Sequence, residues 1–221
     1  MMKNLQKMGG IAALCSAAAL LFGMVGYLLI VGTLDVMDPV QKVAQLVDKR
    51  AFLYILNLST YAIWGIVIVP LALALYERLK AGSPAIMQTA TTIGLIWACI
   101  VIASGQVSNV GMNTVVDLYS TDPAQAVTAW LAYDSVAQGL SSAGGEILGG
   151  TWVLLVSWAA LRGNGLSKAL NYFGAIVGAV GIISAIPVIG VPGTVIFGLG
   201  KMVWSLWLGI VMLRNNSNTV A

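Results

Sequence analysis

The chain has 221 residues, of which 59% are apolar and 9% charged, with a formal net charge of +3 and no histidine. Soluble domains carry ~25% charged residues, so this composition, with a mean hydropathy of +0.91, excludes an ordinary water-soluble globule. The missing histidine excludes His-ligated haem, His-containing zinc sites and every Ser-His or Cys-His catalytic unit.

Lys3 and Lys7 precede an apolar run from Gly9 to Val31. The run exceeds the ~7–15 residues of a signal-peptide core and lacks a clear Ala-x-Ala cleavage site before the acidic stretch at Asp35, so a retained first span is expected. At ~20 residues per crossing, the apolar runs predict an all-α polytopic bundle. Six spans are placed near residues 10–33, 52–75, 87–109, 141–161, 168–189 and 194–213, in one membrane domain over 1–221. Cys15 and Cys99 fall inside apolar runs and are expected to be small packing residues.

The linkers alternate in charge. One set carries Lys3, Lys7, Arg78, Lys80, Arg162, Lys168 and Arg214 against Glu77, whereas the other carries Lys42, Lys49 and Arg50 against six aspartates. Basic loops stay cytoplasmic, which places both termini inside. The positive net charge reflects these loops and gives no reason to expect nucleic-acid binding.

Two outer loops share one construction. Asp38-Pro39 and Asp122-Pro123 each place a capping Asp before a Pro at the first helical position. After Asp38, Val40, Val43 and Val47 recur at helical spacing while Gln41, Lys42, Gln45 and Asp48 face elsewhere, predicting a short amphipathic helix on the outer interface. The segment from Pro123 is similar, with Val127, Trp130 and Leu131 on its apolar side. Unbroken to Leu161 it would measure roughly 58 Å, so a break is expected near Gly139 or Gly144-Gly145.

An ungapped shift of 84 residues superposes these loops. Asp38-Pro39-x-Gln41-x-Val43 meets Asp122-Pro123-x-Gln125-x-Val127, Gly10 meets Gly94, Cys15 meets Cys99, Gly65 meets Gly149 and Arg78 meets Arg162. The offset spans two crossings, predicting a parallel repeat of about residues 10–85 and 94–169, followed by a third hairpin, 168–213. This differs from the inverted repeats of many transporters.

The runs Gly9-Gly10-Ile11-Ala12-Ala13-Leu14, Leu73-Ala74-Leu75-Tyr76-Glu77-Arg78-Leu79-Lys80, Glu146-Ile147-Leu148-Gly149-Gly150-Thr151-Trp152 and Trp204-Ser205-Leu206-Trp207-Leu208-Gly209-Ile210-Val211-Met212-Leu213-Arg214 resemble a prokaryotic integral-membrane family, domain-of-unknown-function family 4386 (DUF4386). The resemblance covers nearly the whole chain. It implies the six-span fold and a bacterial cytoplasmic membrane, and it implies no reaction and no catalytic residue.

Ionisable residues inside spans are expensive and point to function. Glu146 and Lys201 are both placed in the outer half, on spans entering from the same side, and are expected to meet. Asn57 and Tyr61 on the second span, and Gln106 and Asn109 on the third, fall at the same level. These six residues define a candidate outer-facing ligand pocket. Gly145-x-x-x-Gly149 and Gly174-x-x-x-Gly178 are packing motifs, and Trp130, Trp152, Trp158, Trp204 and Trp207 are expected to include interface anchors.

The leading expectation is a non-enzymatic protein that binds or transports a small or amphiphilic molecule. It calls for no catalytic residue, no metal and no cofactor other than bound lipid. The alternative is a structural or accessory subunit docking a second copy or a partner membrane protein. Minor alternatives use Lys201: a Ser-Lys unit with Ser205, four residues on, or a chromophore-bearing Schiff base with Glu146 as counter-ion.

Overall fold

The computed structural model describes residues 2–31, 38–141, 146–163, 165–186 and 188–217, and every regular element among them is helical. The elements are α1 (Met2–Val31), α2 (Pro39–Asp48), α3 (Arg50–Asn57), a π-helical turn (Leu58–Ile63), α4 (Trp64–Leu79), α5 (Pro84–Tyr119), α6 (Pro123–Ser141), α7 (Glu146–Gly163), α8 (Lys168–Ile183) and α9 (Gly190–Ser217). Pro70 lies inside α4.

Among the described residues, five stretches are long and apolar enough to cross a membrane: α1, α3 through α4, α5, α6 into α7, and α9. The sixth apolar helix, α8, has 16 residues, roughly 24 Å at 1.5 Å per residue against a hydrocarbon core of ~30 Å. Of the two expected break points, Gly139 lies inside α6; Gly144-Gly145 lie outside the described residues.

The apolar helices close into a ring in chain order: α1 packs on α4, α4 on α5, α5 on α7, α7 on α8, α8 on α9, and α9 returns to α1. The interior is built from Leu71, Leu75, Trp97, Trp152, Val153, Leu208 and Met212, all buried. Where α7 crosses α8, a methyl on Gly150 would lie 2.6 Å from the Gly178 carbonyl oxygen, and one on Gly178 2.7 Å from that of Gly150. Only glycine permits that approach, the use expected for the 174–178 motif. Gly145 lies outside the described residues.

At one end of the ring, the basic end, the Arg78 guanidinium donates from Nε to the Gly165 carbonyl at 3.0 Å and from a terminal nitrogen to Gln6 Oε1 at 3.3 Å. This ties α1, the end of α4 and the α7–α8 turn together. Lys80 Nζ lies 2.7 Å from Glu77 Oε1, and that hydrogen bond raises the Lys80 pKa above the ordinary lysine value.

At the opposite, cap end, both Asp-Pro helix starts are formed as read: Gln41 N–H donates to Asp38 Oδ1 at 2.9 Å and Gln125 N–H to Asp122 Oδ1 at 3.0 Å. Val43 of α2, Val115 of α5 and Ala126 of α6 bury one another in a second small core, with Val127, Trp130 and Tyr133 against it. Two expectations change here. The α2 helix is held by protein on its Val43 face, leaving Val40 exposed, so it rests on α5 and α6 as well as lying at the bundle end. Cys15 and Cys99 are exposed on the outside of the ring rather than packed within it. An apolar exterior accepts a small thiol as readily as an apolar core does, so hydrophobicity does not say which way it points.

Candidate functional site

The cap end acquires its polar interior from the π turn. A π-helical turn, which bonds i to i+5, is rare and often sits at functional positions. Here it joins α3 to α4 and carries Tyr61, with Asn57 on the residue before it. Gly105 of α5 faces Tyr61, where a side chain would strike Tyr61 Cβ, so the ring seats directly on the α5 backbone. Tyr27 Oη donates to Asn57 Oδ1 at 2.7 Å, and Asn57 Nδ2 donates to Asn109 Oδ1 at 3.1 Å. Ser104 Oγ donates to the Ala137 carbonyl at 2.9 Å, tying α5 to α6. Tyr61 is within hydrogen-bonding reach of Tyr27 and Ser141.

This network floors a cavity of about 340 Å³ between α1, α2, α3, the π turn, α5 and α6. Its walls include the rings of Tyr27, Tyr61, Trp130 and Tyr133, the apolar Leu46, Leu53 and Met112, and the charged Lys42 and Asp134. The Asp134 Oδ2 atom accepts from Gln138 Nε2 at 2.5 Å. The Lys42 ammonium stands over the Trp130 ring, 5.9 Å from its centroid.

The six residues singled out from sequence are not brought to one place. Asn57 and Tyr61 line the cavity, and Asn109, 2% exposed, stands behind Asn57 as its hydrogen-bond partner. Gln106 is exposed on the outside of α5. The inward stripe of that helix runs through Ser104, Gly105, Asn109 and Met112, and Gln106 sits about 200° around the axis from Ser104. Glu146, half-buried at the head of α7, is not among the residues lining the cavity.

Lys201 is 1% exposed and faces the bundle interior, but its ammonium reaches Ser205 Oγ at 2.7 Å rather than Glu146. No ion pair within 4.0 Å joins Lys201 to Glu146 among the described residues, although each charge acts on the other at longer range. Four tryptophans surround its Nζ: Trp204 at 5.2 Å, Trp152 at 5.5 Å, Trp64 at 5.7 Å and Trp97 at 5.9 Å from their ring centroids. Trp64 meets Trp97 edge-on at 4.9 Å, and Trp152 meets Trp204 edge-on at 5.8 Å. Trp64 Nε1 donates to Ser16 Oγ at 2.6 Å, fixing one wall to α1.

Cation–π contacts contribute ~0.5–2 kcal/mol each. Four of them and one hydrogen bond stand against a desolvation cost of several kcal/mol for a buried ion. Of the five tryptophans expected to include interface anchors, Trp152 and Trp204 are fully buried walls of this box. The available signal was Lys201-x-x-Trp204-Ser205, which places ring and hydroxyl on the face of the lysine. The other three rings come from α4, α5 and α7, and only the folded ring of helices brings them in.

Compared with known proteins, residues 11–211 match a family model described as Domain of unknown function (DUF4386). No curated protein and no solved structure matches the chain. Fold, apolar helices and family agree on a multi-pass helical membrane bundle.

Proposed function

The chain belongs to the DUF4386 family, and we propose that it binds or moves a small or amphiphilic molecule through the cavity at the cap end. The carrying observation is the 340 Å³ space itself, with a hydrogen-bonded floor of Tyr27, Asn57 and Asn109 and aromatic and apolar walls. Ligand sites have this make-up: a concave, largely apolar surface with a few fixed polar groups. Packing alone gives no reason to leave such a volume beside buried amides, because interiors close to near-crystalline density.

The same reading takes the six apolar helices as six crossings, with α8 as the short one, and places both termini in the cytoplasm of the cell whose membrane it spans. Segregation of Arg78, Arg162, Lys168 and Arg214 to one end supports this orientation. It also takes residues 10–85 and 94–169 as a parallel duplication, supported by the two Asp-Pro caps at the same end. No catalytic residue, metal or cofactor enters this reading, and neighbouring lipid is its expected partner.

Filling the cavity tests the function. Ser108 lines it, so Ser108→Trp should abolish uptake of small molecules detected by native mass spectrometry while leaving the melting temperature near that of wild type. Undiminished uptake in that variant would place the ligand elsewhere. For orientation, a reporter fused after Ala221 should be cytoplasmic, and a cysteine within 41–49 should react with an impermeant reagent added outside.

A further inference from the structure

Resting on the cavity as a ligand site, the geometry points to its ligand class: a molecule carrying an organic ammonium group, with which the protein's own Lys42 competes for the same place.

Three observations converge. First, the cavity presents four aromatic rings, Tyr27, Tyr61, Trp130 and Tyr133, and the faces of such rings attract cations. Second, Asp134, the one carboxylate lining it among the described residues, is half-buried, is held by Gln138 and has no ion-pair partner within 4.0 Å there. A carboxylate taken partly out of water without a counter-ion in contact favours a cation beside it. Third, an ammonium already stands over this wall. Lys42 reaches across from α2 to Trp130 on α6, and its charge acts on Asp134 without reaching contact distance.

The tether is weak by construction. At 5.9 Å the contact lies at the outer limit of a cation–π interaction, and α2 is a ten-residue helix whose one fully buried side chain is Val43. A ligand ammonium bound between Asp134 and the rings would displace the Lys42 ammonium at small cost. Lys42 therefore acts as an internal competitor, setting a threshold that a free cation must exceed.

The test uses the full chain in detergent and two probes of equal shape: benzyltrimethylammonium and its neutral isostere neopentylbenzene, titrated by calorimetry. Wild type should prefer the cation by roughly tenfold or more, the size of one good cation–π or charge-assisted contact. Lys42→Met should tighten the cation by roughly tenfold, while Lys42→Arg, which keeps the competing charge, should not. Asp134→Asn should weaken it by a similar factor. A melting curve for each variant separates lost affinity from lost fold.

Equal binding of the two probes would overturn the ammonium assignment and leave the cavity reading standing. Absence of binding by either probe would overturn both. Failure of Lys42→Met to tighten the cation would overturn the competitor role. Ammonium groups occur on free amines and on lipid headgroups. Competition by phosphatidylethanolamine nanodiscs, but not by phosphatidylglycerol nanodiscs, would assign the lipid; its absence would assign a free amine.

Discussion

Two lysines in this protein stand over tryptophan, and their surroundings could hardly differ more. Lys201 sits at the centre of the helix ring with four indoles and Ser205 around its ammonium and 1% of its surface exposed. Lys42 has one indole, at 5.9 Å, the distance of the farthest of the four around Lys201, on the wall of a 340 Å³ cavity. The contact chemistry is shared; what separates the sites is enclosure. Four walls around a side chain that is 1% exposed make a fixed guest, whereas one wall beside a cavity makes an exchangeable one. The Ser-Lys pair at 201 and 205, hydrogen-bonded at 2.7 Å, shares that enclosure: Lys201 is 1% and Ser205 0% exposed.

The largest expected effect breaks the closed box. Lys201→Ala should cost ~2–5 kcal/mol, in the range of large-to-small core substitutions, because four indoles lose what they pack against. Lys201→Met keeps the volume and removes the buried charge, a change that is often neutral or stabilising. Thermal unfolding in detergent distinguishes the cases. If methionine is as damaging as alanine, the ammonium rather than the volume holds the rings together. Lys42→Met should leave the melting temperature unchanged.

Next in size is the wall behind the box. Gly178→Ala drives a methyl into the Gly150 carbonyl and should cost ~1–3 kcal/mol as an overpacked contact. If it is silent, α7 and α8 are looser than the contact implies, and the enclosure of Lys201 does not depend on them.

The cavity side answers to a smaller change. Tyr27→Phe removes the donor to Asn57 Oδ1 and should cost ~1–3 kcal/mol if that buried oxygen is left unpaired. Gln106→Leu, on the outside of α5, should stay within ~0.5 kcal/mol of wild type. A Gln106 variant with the larger effect would contradict the assignment of inner and outer faces.

That pair of substitutions also marks how far the sequence could be read. Long apolar runs and Asp-Pro caps are local signals, so the helices, the cap end and the inward placement of Asn57, Tyr61 and Lys201 were legible. The facing of single residues was not. In a bundle surrounded by lipid both the inside and the outside are apolar, and the inward face of α5 is written in small and polar residues, Ser104, Gly105, Ser108 and Asn109, not in hydrophobicity. Gln106 resembles them in chemistry and lies on the far side. Cys15 and Cys99 misled in the opposite sense. Spacing says only that Lys42 and Gln45 face away from the valine stripe of α2; they line the cavity, because α6 and the end of α5 stand over that face and chain order does not announce it.

The smallest expected effect separates the two caps. Asp38 and Asp122 each precede a proline and accept one backbone N–H at nearly equal length, so each Asp→Ala change should remove a similar local contribution, ~0.5–2 kcal/mol for a lost N-cap. The helices behind them differ. From Asp122, α6 runs 19 residues into the body of the bundle, where packing on α5 holds it whether or not its first turn frays. From Asp38, α2 has ten residues and carries Lys42. Fraying there should act chiefly on the position of the Lys42 ammonium. Asp38→Ala is therefore expected to tighten benzyltrimethylammonium by two- to threefold, about 0.4–0.65 kcal/mol, while Asp122→Ala leaves it within calorimetric error. Equal effects from the two caps would mean that α2 does not govern access to the cavity, and the contrast between a fixed and an exchangeable lysine would then rest on Lys42 alone.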